Sequence, residues 1–252
     1  MKNAAYGLVL ALQFLTRIPL PIACPWNADT CRWALRCYPL VGLLLGALIA
    51  VMATLLDGLL PTPLLALTLL SLWVALSGGL HLDGVMDVAD ALGSNTPLEK
   101  RWAIMQDSQV GSFAILALVF LLAWKGVLIW ALLEAGVTPW LLVIIPALAR
   151  FGSLLLLRLA PLARQEGLAW SWRLHLTRPD LVLALLPLVP LFGVVPGATV
   201  LLGALLLFLL LYGLAMVRAF TGINGDIVGA AIEGGELWLL LAAWSWWSFV
   251  TA

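Results

Sequence analysis

Stretches of about twenty apolar residues recur along this chain, and each is nearly free of charge. A helix needs ~20 such residues to cross the hydrocarbon core of a bilayer. On that ruler the candidate spans are 38–59, 64–80, 111–133, 140–160, 181–195, 198–217 and 237–252. Six to eight membrane helices are therefore expected, forming an all-α polytopic integral membrane protein with one domain over 1–252. Composition agrees: 63% of the 252 residues are apolar, 10% are charged, and the mean hydropathy is +1.09. A soluble domain carries about 25% charged residues, and a disordered chain needs low hydrophobicity, so both classes are excluded. Formal net charge is zero, which gives nucleic acid no bulk attraction.

The first 23 residues are expected either to span the membrane or to lie in the interface or re-enter it, turning at Pro19 and Pro21. Lys2 precedes an apolar run from Ala4 to Leu15, as in a signal peptide. Arg17, Pro19 and Pro21 then stand where a small-residue cleavage site belongs, so the segment reads as retained. Cys24, Cys31 and Cys37 are odd in number and lack C-x2-C spacing, so they read as small buried or interfacial side chains. Trp170, Trp172, Trp244, Trp246 and Trp247 read as interface anchors.

The connecting segments divide by charge. Loops 24–37, 81–110, 161–180 and 218–236 carry Arg32, Arg36, Lys100, Arg101, Arg164, Arg173, Arg178 and Arg218. The segments on the other side carry no Lys or Arg. By the positive-inside rule the long loops face the cytoplasm, the expected setting being the inner membrane.

Most of the acidic residues share that side. Asp83, Asp87 and Asp90 stand at i, i+4 and i+7, within about 60° of one another on a helix face. Two such charges 6 Å apart repel by roughly 2.8 kcal/mol at an effective dielectric near 20. Three of them, beside a span and with no interleaved base, call for a cation, and hard oxygen donors suit Mg²⁺. A second stretch, 222–236, places Asp226 and Glu233 seven residues apart among glycines. His81 is a candidate proton acceptor. Lys100 and Arg101 are suited to phosphate oxygens, and Asp107 can join the metal site or orient a base. Lys125 and Arg150 sit near mid-span, where a cation is costly enough to need a polar cavity or an acidic partner. Ser108, Arg164 and Asn224 complete the candidate substrate-binding set. No P-loop or G-x-G-x-x-G is present.

Six blocks run in order along nearly the whole chain: FLTRIPLP (14–21), YPLVGLLLG (38–46), GGLHLDGVMDVADALGS (78–94), IMQDSQVGSFA (104–114), ARQEGL (163–168) and GDIVGAAIEGGEL (225–237). In these the sequence resembles the cobalamin synthase family, the adenosylcobinamide-GDP ribazoletransferases. It departs at Gln106 and Gln109, where family members often carry basic residues. The resemblance implies transfer of the cobinamide-phosphoryl group of adenosylcobinamide-GDP to α-ribazole or its 5′-phosphate, with GMP leaving. It also implies that Asp83, Asp87 and Asp90 hold Mg²⁺, that Asp226 and Glu233 complete that site or hold a second ion, and that His81 or Asp107 assists deprotonation. The partners are then these two substrates and the lipid bilayer, with room for a homo-oligomer. Membrane prenyltransferases and CDP-alcohol phosphotransferases also carry spaced aspartates, but their motifs are missing here. A cation transporter would place its acids near the bilayer midplane, whereas these cluster at span ends.

Overall fold

The computed structural model describes residues 2–250. Its helices are α1 (Lys2–Leu15), α2 (Ala28–Leu56), α3 (Thr62–Ser77), α4 (Leu80–Gly93), α5 (Leu98–Ile104), α6 (Ser112–Glu134), α7 (Leu141–Leu159), α8 (Gly167–His175), α9 (Arg178–Leu185), α10 (Leu191–Val194), α11 (Ala198–Phe220) and α12 (Gly225–Val250). Five of them, α2, α6, α7, α11 and α12, are each long and apolar enough to cross a membrane, and the number rises to seven if two bent pairs are each counted as one span. The all-α polytopic expectation holds.

Helix α7 is the axis of the bundle. Most of its side chains are buried, and α2, α11 and α12 pack around it. The outer helices instead show lipid-sized apolar residues: Ile115, Val119 and Phe120 on α6 and Leu207, Leu210 and Leu214 on α11 are all exposed. In a bilayer such faces meet acyl chains, so their exposure carries no cost of the kind it has in water.

Several boundaries differ from the sequence expectation. Helix α2 begins at Ala28 rather than near residue 38, because Asn27 caps it by accepting the Thr30 amide at 2.9 Å. At 29 residues it is about 44 Å long, longer than the ~30 Å hydrocarbon core, so its first turns with Arg32 and Arg36 can stand clear of lipid. Helix α1 packs on α2, and its 14 residues span only about 21 Å, too short to cross. The expected span 181–195 is broken. Pro187 lies in a 3-10 turn over Leu186–Leu188 and Pro190 precedes α10, and proline cannot supply the amide a continuous helix needs there. Trp172 is a core residue, not an interface anchor. It is buried against Phe14, Trp26 and Tyr38, with ring centroids 4.9 to 5.9 Å apart. Cys31 and Cys37 are buried free thiols and Cys24 is half-buried.

Helices α3 and α4 meet at 92°. Gly78 and Gly79 make that turn with φ of 71° at both, a left-handed conformation open to glycine at little cost. The bend carries α4 away from the direction of α3, so α4 does not continue a crossing. It packs between α6 and α12.

A polar clamp fixes the opposite flank. Asp180, wholly buried on α9, accepts from Arg36 Nε at 2.7 Å and lies 3.4 Å from Arg32 Nε, which joins α9 to α2. It also closes the capping box with Thr177. Asp180→Ala leaves Arg36 facing no charge, and we expect a loss of about 2 kcal/mol, discounted for the partial exposure of both arginines. Thermal unfolding in detergent should show it as a clear drop in Tm, while Asp29→Ala, at an exposed position, should leave Tm within error.

Candidate functional site

Three polar assemblies involve α12 and its neighbours, two of them at its first turn and one two to three turns deeper. The first is the acidic face of α4. Asp83 is exposed, while Asp87 and Asp90 are half-buried. Gly84 sits between them, where a Cβ would come within 2.5 Å of the Asp226 carbonyl oxygen. Only a residue without a side chain lets α4 approach the first turn of α12 this closely, and that approach brings Asp226 to the α4 carboxylates. The crowding shows in Asp87. Burial first, then the charges of Asp83, Asp226 and Asp90, push its carboxyl up to about 6.

Asp90 has a structural task as well. Its two oxygens accept from the Gly111 and Ala114 amides at 2.6 and 2.8 Å, satisfying donors at the start of α6 that no helical carbonyl can reach. Asn224 does the same for α12. It accepts from the Ile227 amide at 3.0 Å and donates to Asp226 at 2.8 Å.

The second assembly is a polar cavity of about 480 Å³, bordered by Trp102, Gln106, Arg164, Glu166, Asn224 and Asp226. Its rim is tied together by a short parallel bridge between Leu162 and Ile223, with Ala163 N–H donating to Ile223 O at 3.0 Å. Arg164 lies 5.7 Å from the Trp102 ring centroid and 3.5 Å from Glu166. Gln106 is part of this wall although its type departs from the basic residue expected there. Asp107, Ser108 and Lys100 are exposed outside it, and Asp107 accepts from the Gln109 amide at 3.0 Å. Arg101 is committed to backbone oxygens of Thr96 and Ala219 at 2.9 and 3.0 Å, which anchors α5 to the end of α11.

The third assembly is buried deeper. Lys125 on α6 reaches Glu233 and Glu236 on α12 at 2.5 and 2.6 Å, and Arg150 on α7 reaches the other oxygen of Glu236 at 2.7 Å. All four are at most 3% exposed. The mid-span cations thus meet protein carboxylates, and Glu233 is engaged by Lys125 rather than standing beside the α4 acids. Glu236 was not singled out as a partner from sequence. Its signal is the i, i+3 spacing from Glu233, which places both on one helix face.

The donor set suits Mg²⁺ in kind. Among the described residues no three His, Cys, Asp or Glu side chains close into a ready metal cage. Mg²⁺ is commonly held by one or two carboxylates, with waters and substrate phosphates completing its shell, and Asp83, Asp87 and Asp226 offer that partial set.

Comparison with known proteins adds a separate line. The family described as cobalamin-5-phosphate synthase matches residues 7–244. An adenosylcobinamide-GDP ribazoletransferase of Pseudomonas paraeruginosa is 42% identical over 246 residues, covering 96% of this chain and 99% of the relative. Those of Geobacillus thermodenitrificans and Halalkalibacterium halodurans are 40% identical over 254 residues and 37% over 261, covering 97% and 100% of both chains. No solved structure matches.

The buried quartet predicts non-additive mutants. Lys125→Met alone leaves Glu233 buried without its cation and should cost about 3–5 kcal/mol. Joining it to Glu233→Gln removes both charges of that pair, so the double variant should recover at least half of the loss. Chemical denaturation of the four proteins in matched detergent measures the coupling.

Proposed function

We propose, from the premise that the chain belongs to the cobalamin-5-phosphate synthase family, that the α4–α12 acid cluster and its adjoining cavity are the reaction centre of an adenosylcobinamide-GDP ribazoletransferase facing the cytoplasm. The family reaction moves a cobinamide-phosphoryl group. The 3′-hydroxyl of α-ribazole, or of its 5′-phosphate, attacks the phosphorus attached to the cobinamide arm. A new P–O bond forms, the diphosphate P–O bond breaks, GMP departs, and the hydroxyl proton passes to a base. The observation that carries the assignment is the Gly84 contact, which brings Asp226, a wall residue of the cavity bordered by Arg164, to Asp83 and Asp87.

Asp83, Asp87 and Asp226 are the residues that would hold Mg²⁺. Bound there, the ion supplies neutralisation of diphosphate charge. Arg164 offers a planar fork to phosphate oxygens from the same cavity. For the proton, the two candidates from sequence separate by position. Asp107 borders neither the polar cavity nor a smaller cavity, of about 150 Å³, that shares Asp226 with it. His81 is 4% exposed, and its Nδ1 has no hydrogen-bond partner among the described residues. It lines the smaller cavity together with Asp226, so His81 Nδ1 is the better-placed acceptor. Lys125 and Arg150 act indirectly, by fixing the depth and rotation of α12.

Purified protein supplied with both substrates tests the reading through GMP release. Asp83→Ala should lose activity by about 100-fold or more at every Mg²⁺ concentration. Asp87→Asn should shift half-maximal activity to higher Mg²⁺. Wild-type turnover by Asp83→Ala at low Mg²⁺ would remove the acid cluster from the mechanism.

Sidedness is checked separately. Single-cysteine reporters at the exposed Gln109 and Gln165, in a cysteine-free background, should escape a membrane-impermeant thiol reagent in intact cells and react after permeabilisation. Labelling of both in intact cells would place the site on the outer face.

A further inference from the structure

Beside the polar cavity lies a second, partly enclosed one of about 150 Å³, and Asp226 borders both. Its walls are apolar and aromatic. Phe14, Tyr38 and Trp172 line it with Leu157, and Trp172 stands edge-on to the other two rings at 5.3 and 5.9 Å. Two buried ring nitrogens in this lining have no hydrogen-bond partner among the described residues: His81 Nδ1 and Trp172 Nε1. A buried donor or acceptor left without a partner costs about 1–3 kcal/mol. An apolar cavity whose lining leaves such groups unsatisfied is built for a ligand that is mainly apolar and carries a few polar atoms.

The geometry points to this cavity as the site for the aromatic base of the acceptor nucleoside, with Trp172 Nε1–H donating to the unprotonated ring nitrogen of that base. The assignment rests on the reaction proposed above and adds the location of the acceptor. Size agrees, since a dry cavity of roughly 150 Å³ holds a benzene ring, and this one is open on one side to accommodate a second fused ring. Chemistry agrees as well. Tryptophan can only donate, and a benzimidazole joined to ribose through one nitrogen has one nitrogen left, which can only accept. Position completes the argument. A base seated here sets its ribose next to Asp226, at the boundary with the cavity where the diphosphate would lie, so the attacking hydroxyl and the phosphorus meet beside one carboxylate.

Equilibrium dialysis of α-ribazole against the detergent-solubilised full chain, with no donor substrate present, isolates this step. Trp172→Phe keeps an aromatic ring and removes the N–H, and it should weaken α-ribazole binding roughly tenfold. The indole riboside that lacks the ring nitrogen should bind the wild type about as weakly, and should bind Trp172→Phe no worse than it binds the wild type. Leu157→Phe, which fills the cavity, should raise the KM for α-ribazole at least tenfold while leaving the KM for adenosylcobinamide-GDP unchanged, and the unchanged value shows that the protein is folded. If α-ribazole binds the wild type but neither variant alters that binding, the base lies elsewhere and the reaction assignment stands. If the wild type binds α-ribazole and releases no GMP in the full assay, the reaction assignment fails while the cavity assignment is kept. If the wild type binds no α-ribazole at all, the cavity assignment is overturned.

Discussion

A cation in the middle of a membrane helix needs an anion within reach, and in this protein two such cations share two glutamates on one helix. Lys125 and Arg150 approach Glu236 from opposite sides, from α6 and α7, while Glu233 takes the remaining reach of the ammonium. Breaking any of these pairs leaves a charge in a medium that cannot solvate it. The rotation and depth of α12 are therefore fixed against two neighbours at once. That setting carries the first turn of α12 to the place where Gly84 admits it, and Asp226 reaches the α4 carboxylates as a result. The placement of Asp226 among the α4 acids depends on an electrostatic match two to three turns deeper.

The polar end is assembled from short pieces rather than from one long element. Capping by Asp90 and Asn224 settles the starts of α6 and α12, and the Leu162–Ile223 bridge draws the segment after α7 to the segment before α12. Each piece satisfies backbone groups that would otherwise be left bare near lipid. Leu162, Ile223 and Asn224 belong to the wall of the polar cavity, and Asp226 lies at the edge it shares with the smaller one.

Much of this was legible in the residues. Long apolar runs gave the class of fold, and the i, i+4, i+7 spacing of Asp83, Asp87 and Asp90 gave the acidic face. What was not legible follows from where helices begin. Starting the last span at residue 237 put Glu236 in a loop, where it had no reason to meet a mid-span base. With α12 beginning at Gly225, Glu236 lies about 17 Å along the helix and Lys125 about 20 Å along α6 from Ser112, comparable depths if both helices start at one face. Apolar length alone does not locate such a start, because polar residues within a helix can be covered by their partners. Trp172 was misread for a related reason. Interface tryptophans and packed ones have the same side chain, and only the arrangement of α1, α2 and α8 distinguishes them.

The buried quartet has one further consequence. Its two positive and two negative groups sum to a formal charge of zero. Moving one uncompensated elementary charge through a 100 mV potential exchanges about 2.3 kcal/mol with the field. A core holding a single unmatched lysine or arginine would be pulled by the energised membrane and would shift as the cell's potential rose or collapsed. With matched charges, the transmembrane field exerts no net force on the quartet as a whole, and its pull on the two glutamates of α12 is opposed by its pull on the cations of α6 and α7 that they hold.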